Sequence, residues 1–157
     1  MNVNIVQGTR SLFTRDITVG GSQFTDVLQR SLGLNFQQAE AIKRGVTDGV
    51  DGIEEKSIEP LMNNVTEVVA MEIQKTFDFY RATTEDNETV VQKILISGGG
   101  SKLIGLAQEL SQRLELPVEV LDPFRRIKVD SKKCGPGYLK EIVPEMAVAV
   151  GLAVRGV

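Results

Sequence analysis

Histidine is absent from this 157-residue chain, and cysteine occurs once, at Cys134. Without histidine there is no Ser-His-Asp or Cys-His nucleophile, and most zinc sites are closed off. A lone cysteine excludes an internal disulfide and points to a reducing compartment. No apolar run approaches the roughly 20 residues of a membrane span, and no signal-peptide pattern opens the chain. The expectation is therefore a cytoplasmic protein. A net charge of −3 gives no basic face for nucleic acid. With 41% hydrophobic and 25% charged residues, the chain reads as one lobe, 1–157, long enough to bury a core.

Two strands open it, "NVNIVQ" (2–7) and "SLFTRDITV" (11–19), joined at Gly8-Thr9 as a hairpin. The first strand has no lead-in, which leads us to expect a piece of a longer protein. The outer edge of a sheet that opens this way is a candidate for self-association. "SQFTDVLQRSLG" reads as a helix capped by Ser22, with Phe24, Val27, Leu28 and Leu32 on one face and Gly33 as its stop. "NFQQAEAIKRG" reads as a second helix, capped by Asn35 and ended by Gly45. The acids Asp48, Asp51, Glu54 and Glu55 follow in a polar loop. They lack the order of an EF-hand, so a solvated loop is the expectation and no metal ligand is assigned.

A long helix runs from Ser57 to about Thr83, with Ile58, Leu61, Met62, Val65, Val68, Val69, Ile73, Phe77 and Tyr80 at 3–4 spacing. After the acidic "TTEDNET" come a strand (91–97), a glycine corner, a helix (101–115) and the strand "PVEVLDP". "FRRIKVDSKKCGPGYLKE" reads as an exposed loop. Its cations Arg125, Arg126, Lys128, Lys132 and Lys133 are suited to acidic partners or lipid headgroups, or to plain solvation. Pro144 then opens a helix apolar on nearly all sides, "PEMAVAVGLAVRGV", which must pack on something. The element order predicts an α/β fold: a mixed, five-stranded-type sheet covered by helices. Residues 1–19 and 57–157 would form the sheet core, and 20–56 a smaller helical subdomain.

"ISGGGSKLIGL" invites three templates. A dinucleotide fingerprint requires glycine where Leu103 stands. A Walker loop has its spacing in Gly100 and Gly105, but Leu106 occupies the place of the phosphate-binding lysine. The third template is a corner of bare backbone, Gly98-Gly99-Gly100 with Ser101 capping the next helix, that lies flat against a base or sugar. Taken alone, it equally describes a tight turn that lets a strand meet its helix. "TVGGSQFTDVL", however, repeats the pattern at Gly20-Gly21. Between the corners, Glu40 and Lys43 share a helical face. An isolated pair of this kind is a surface ion pair worth about 0.2–0.5 kcal/mol; between two glycine corners it can instead hold a ribose and flank a base.

The strings "RDITVGGSQFTDVLQRSL", "AEAIKRG", "ILISGGGSKLIGLAQELSQRLELPVEVLDPF" and "PEMAVAVGLAVRG" together resemble the second half of the actin-like (ribonuclease H-like) ATPases. Within that superfamily they are most similar to the PilM family of type IV pilus assembly, relatives of FtsA. The resemblance implies that Gly98, Gly99, Gly100 and Ser101 floor an adenosine pocket. Glu40 and Lys43 would meet ribose and adenine, and Gly20 and Gly21 would border the cleft. Residues 147–153 would form a hinge helix toward the other lobe. It implies ATP with Mg2+ as the ligand of the full-length parent. The phosphate loop and the Asp-rich turn of the first lobe are not among these residues, so no catalytic residue is assigned. This chain by itself is expected to bind weakly and not to hydrolyse ATP.

The implied role is an assembly scaffold, not an enzyme, recruited to the cytoplasmic face of the inner membrane by its partners. Those partners would be the PilN cytoplasmic tail, docking through the missing first lobe, and other platform or motor components. An FtsA-like division protein is one alternative, but the amphipathic tail of FtsA does not follow "AVRGV". A sugar-kinase-like enzyme of the same superfamily is another, and a small Rossmann-like cofactor protein a third.

Overall fold

The computed structural model describes residues 1–46, 53–84, 90–129 and 135–156. Strands β1 (Asn2–Gln7) and β2 (Arg10–Asp16) pair antiparallel, with Asn4 opposite Thr14 and a register shift between Ile5 and Val6. Gly8 adopts φ +61° in the connecting turn, a left-handed conformation that costs glycine little. The second strand ends at Asp16, earlier than its apolar pattern predicts. Beyond it, the Ile17 N–H is held by the Met1 carbonyl at 2.8 Å.

Helix α1 (Gly21–Leu32) begins one residue before the expected Ser22 cap. The Gly20 N–H instead donates to Gln23 Oε1 at 2.7 Å, and Ser22 Oγ also turns toward Gln23. Gly33 closes the helix at φ +67°. Helix α2 (Phe36–Lys43) starts at a reciprocal capping box: Gln38 N–H donates to Asn35 Oδ1 and Asn35 N–H to Gln38 Oε1. Asp48, Asp51 and most of "TTEDNET" lie outside the described residues, as do Lys132, Lys133 and Cys134.

Helix α3 (Glu55–Thr83) spans 29 residues and carries the core. One of its faces, Val65, Val69, Ala70, Ile73, Phe77 and Tyr80, packs with Ile5, Phe24, Leu103 and Leu110, whereas Val68, expected on that face, is exposed. Strands β3 (Ile94–Ile96) and β4 (Val118–Val120) pair in parallel, bridged by α4 (Leu106–Leu114), which packs on α3. The described residues thus register two two-stranded ladders. Val3, Ile5, Ile94, Ile96 and Val118 all contribute to the same core. A second cluster, Leu28, Ala39 and Ile42, rests on Ile58, Leu61 and Met62 of α3. Met62 touches both clusters, so α3 serves as the wall between the sheet side and the α1–α2 pair.

Three sequence expectations fail in this part of the chain. The helix after the second glycine corner does not start at Ser101. A 3-10 turn (Gly99–Lys102) comes first, and Gly105 at φ +75° breaks the chain before α4. Residues expected to be loop form α5 (Pro136–Ile142), because Pro136 sits in the first turn, where its missing N–H costs nothing. Pro144 lies in a 3-10 turn (Val143–Glu145), and α6 (Ala147–Ala153) begins after it. No residue of α6 is buried; Val148 and Leu152 are 74% and 63% exposed.

Candidate nucleotide site

The turn into α1 is fixed by Gln23, whose amide also donates to the Thr18 carbonyl at 3.0 Å. This sets the Gly21 carbonyl where Lys43 Nζ reaches it at 3.4 Å. On α2, Phe36, Glu40 and Lys43 recur at four- and three-residue steps and share one face, and Arg44 follows as the residue that ends the helix. Lys43 makes an ion pair with Glu40 and donates to Thr25 Oγ1 at 2.8 Å, while the Thr25 hydroxyl also meets the Glu40 carboxylate. Thr25 is 2% exposed, so its hydroxyl holds the two charged groups in place from inside the helix pair.

The second corner approaches from the opposite side in sequence. Gly98, at φ +85°, donates its N–H to the Pro144 carbonyl at 2.6 Å. Ser101 is buried and returns its hydroxyl to the Gly98 carbonyl at 2.7 Å, so it closes the turn and does not cap α4. Lys102 then pairs with Glu145 at 2.6 Å.

Both corners open on one cavity of about 380 Å³, within the size range of small-molecule sites. Gly21, Thr25, Glu40 and Lys43 line it from α1 and α2, and Gly99, Gly100, Lys102 and Leu103 from the second corner. Of the residues singled out in the sequence, Gly21, Glu40, Lys43, Gly99 and Gly100 are brought together here. Gly20, Gly98 and Ser101 stand outside the lining, committed to the cap and turn bonds just described. A β-carbon on Gly100 would meet no atom within 4 Å, and one on Gly99 only Glu145 Oε1 at 3.9 Å. The bare backbone of these two residues therefore borders open space. Thr25 and Phe36 also line the cavity and were not anticipated. Thr25 resembles any threonine in an amphipathic helix, whereas the four-residue step from Phe36 to Glu40 was a usable signal.

Partial burial would raise the Glu40 carboxyl. Hydrogen bonds from Lys43 and Thr25, with the charges of Lys43 and Arg44, outweigh it and hold the group below the usual glutamate range. Glu145 is likewise lowered, chiefly by its hydrogen bond from Lys102. Both carboxylates are thus ionised at neutral pH. A second cavity of about 650 Å³ adjoins the first, sharing Lys43 and Leu103 and walled by Ile58, Met62, Ile104 and Gln108. Among the described residues, no group of three acidic or thiol side chains converges as metal ligands.

The α/β architecture, with two glycine corners meeting over a helix-borne Glu–Lys pair, defines an actin-like lobe. The chain belongs to the family of the type IV pilus assembly protein PilM, whose profile matches residues 1–157. It is similar to a chain of the PilM-PilN type IV pilus biogenesis complex, at 31% identity and TM-score 0.80, over 99% of this chain and 42% of that one. It also shares its fold with the ethanolamine utilization protein EutJ from Carboxydothermus hydrogenoformans. There the identity is 19% and the TM-score 0.62, over 95% of this chain and 44% of that one. The chain spans less than half the length of either neighbour.

Proposed function

We propose that this chain is the nucleotide-binding lobe of a type IV pilus assembly scaffold, binding the adenosine part of ATP without catalysing chemistry itself. The observation that carries this reading is the convergence of Gly21, Glu40, Lys43, Gly99 and Gly100 on one cavity. Glu40, ionised and acceptor-only, suits the two hydroxyls of a ribose. Gly99 and Gly100 offer a surface without side chains, against which a base can lie. The triphosphate and its Mg2+ would be clamped by the first lobe, so the ligand closes the cleft between lobes in the full-length protein.

In this role the protein is recruited to the inner membrane through partners. Among the described residues no helix is long and apolar enough to cross a membrane. PilN is the proposed partner, its cytoplasmic tail docking on the first lobe and leaving this lobe for platform or motor components.

Calorimetric titration of the full-length protein with Mg-ATP tests the site. Lys43→Ala removes a charge-assisted bond of about 1.5–3 kcal/mol and leaves Glu40 unpaired, so affinity is expected to fall roughly 10- to 150-fold. Equal affinity in the variant would remove the Glu40–Lys43 pair from the site. For the partner, a PilN tail peptide is expected to bind the full-length protein and not the isolated 157 residues; binding to the isolated lobe would relocate the dock.

A further inference from the structure

Past β4 the chain leaves the sheet at its carboxyl edge, where the Leu121 N–H donates to the Ile96 carbonyl at 2.8 Å. The next residues fold into a compact turn. Asp122 Oδ1 accepts from the Phe124 N–H at 2.8 Å, and the Asp122 carbonyl from the Arg125 N–H at 3.5 Å. The Ile127 N–H closes the turn on the Phe124 carbonyl at 2.8 Å. Arg125, Arg126, Ile127 and Lys128, at its tip, are all exposed.

The charge of this tip is opposite to that of the chain around it. The chain carries a net −3, yet Arg125, Arg126 and Lys128 stand within four residues, with Asp122 as the nearby acid. Arg15, Lys43, Lys75, Lys93, Lys102 and Arg113 each reach a carboxylate. Among the described residues, none of the three tip cations does. An aliphatic side chain, Ile127, is exposed between two of them. Neither of the two cavities described above is lined by any residue of the turn. Shape then selects the partner. An acidic peptide is held in a groove or along a strand edge, where its backbone is fixed. An exposed tip that borders neither cavity fits a partner without fixed shape, into which cations and one aliphatic group settle together.

We propose that the turn at residues 122–128 is a peripheral contact for an anionic lipid surface. Arg125, Arg126 and Lys128 meet headgroup phosphates, and Ile127 enters the interfacial layer beside them. Guanidinium groups match phosphate oxygens in geometry as well as in charge. Each cation near such a surface strengthens partitioning about fivefold, so three together give roughly 100-fold. An attachment of this strength is marginal alone and acts as a second point of hold beside a protein partner. The proposal is independent of the nucleotide site.

Full-length protein is sedimented with vesicles of equimolar phosphatidylglycerol and phosphatidylcholine, and with vesicles of phosphatidylcholine alone, at low and at physiological salt. Circular dichroism confirms that each variant is folded. Wild type is expected to bind the anionic vesicles only, and less as salt rises. Arg125→Gln/Arg126→Gln/Lys128→Gln weakens that binding roughly 100-fold, and Ile127→Ser by about 2- to 10-fold. Arg30→Gln/Lys56→Gln/Arg81→Gln removes the same charge from other exposed positions and stays within about twofold of wild type, since distant charges are screened. Equal loss in the two triple variants overturns the proposal, because net charge and not the turn would then govern binding. Equal binding to neutral vesicles overturns it as well, as does a wild type that binds neither kind. Binding of a polyglutamate peptide that the turn variant loses, with no binding to vesicles, would reassign the turn to an acidic protein surface.

Discussion

Lys43 Nζ donates to the Thr25 hydroxyl at 2.8 Å, and that hydroxyl is turned onto the same carboxylate that Lys43 neutralises. One buried hydroxyl on α1 thereby holds a charged pair on α2. Thr25→Val keeps the shape and deletes the bond, leaving Lys43 and Glu40 each short of a partner. A loss of about 1–3 kcal/mol is expected. For a domain of this size that is a fall of roughly 2–12 °C in melting temperature, read by thermal denaturation. A melting temperature equal to wild type would show that the pair stands without Thr25.

The Glu40 carboxyl is held below its ordinary value in the folded protein. Its contribution to stability is present above the unfolded value of about 4.3 and lost as pH falls through the depressed folded value. Denaturant melts of wild type and Glu40→Gln are expected to differ at pH 7 and to converge under acid conditions. A constant gap between the two across that range would contradict the pairing.

Gly45 adopts φ +81°, and a β-carbon there would fall 1.9 Å from Ile104 Cδ1. Gly45→Ala therefore meets two penalties. The methyl tip of Ile104 is flexible and two-thirds exposed, so it can swing away. The left-handed backbone cannot be relieved and costs about 1–2 kcal/mol. Adding Ile104→Ala should therefore return only the smaller share of the lost stability in urea melts. Full recovery in the double variant would reverse the order of the two effects.

Leu110 is 1% exposed between α3 and α4. Leu110→Ala is expected to cost about 2–5 kcal/mol by lost burial and a residual cavity. Equilibrium unfolding measures it directly; a cost below 1 kcal/mol would mean that the two helices collapse onto the gap.

The long helix was legible because 3–4 spacing of large apolar residues over many turns has no competing explanation. The capping box at Asn35 was legible because it is local. The corner at Gly98 was half legible. Leu103, Ala107, Leu110 and Leu114 follow a helical period across Gly105, and apolar periodicity cannot report that Gly105 has turned left-handed and divided the run. Helix α5 was hidden by the Gly135-Pro136-Gly137 with which it begins, a sequence that marks turns more often than helix starts. The actin-like lobe followed from motif order along the chain, whereas Thr25 acquired meaning only once two helices had been set side by side.

The floor of the cavity is clipped to a distant segment at two places, Gly98 N–H to the Pro144 carbonyl and Lys102 to Glu145. That segment leads into α6, whose Val148 and Leu152 stand in solvent. The backbone bond and the ion pair therefore fasten the base of this outer helix to the same turn that supplies Gly99 and Gly100, so the two cannot shift independently without giving up one of those contacts.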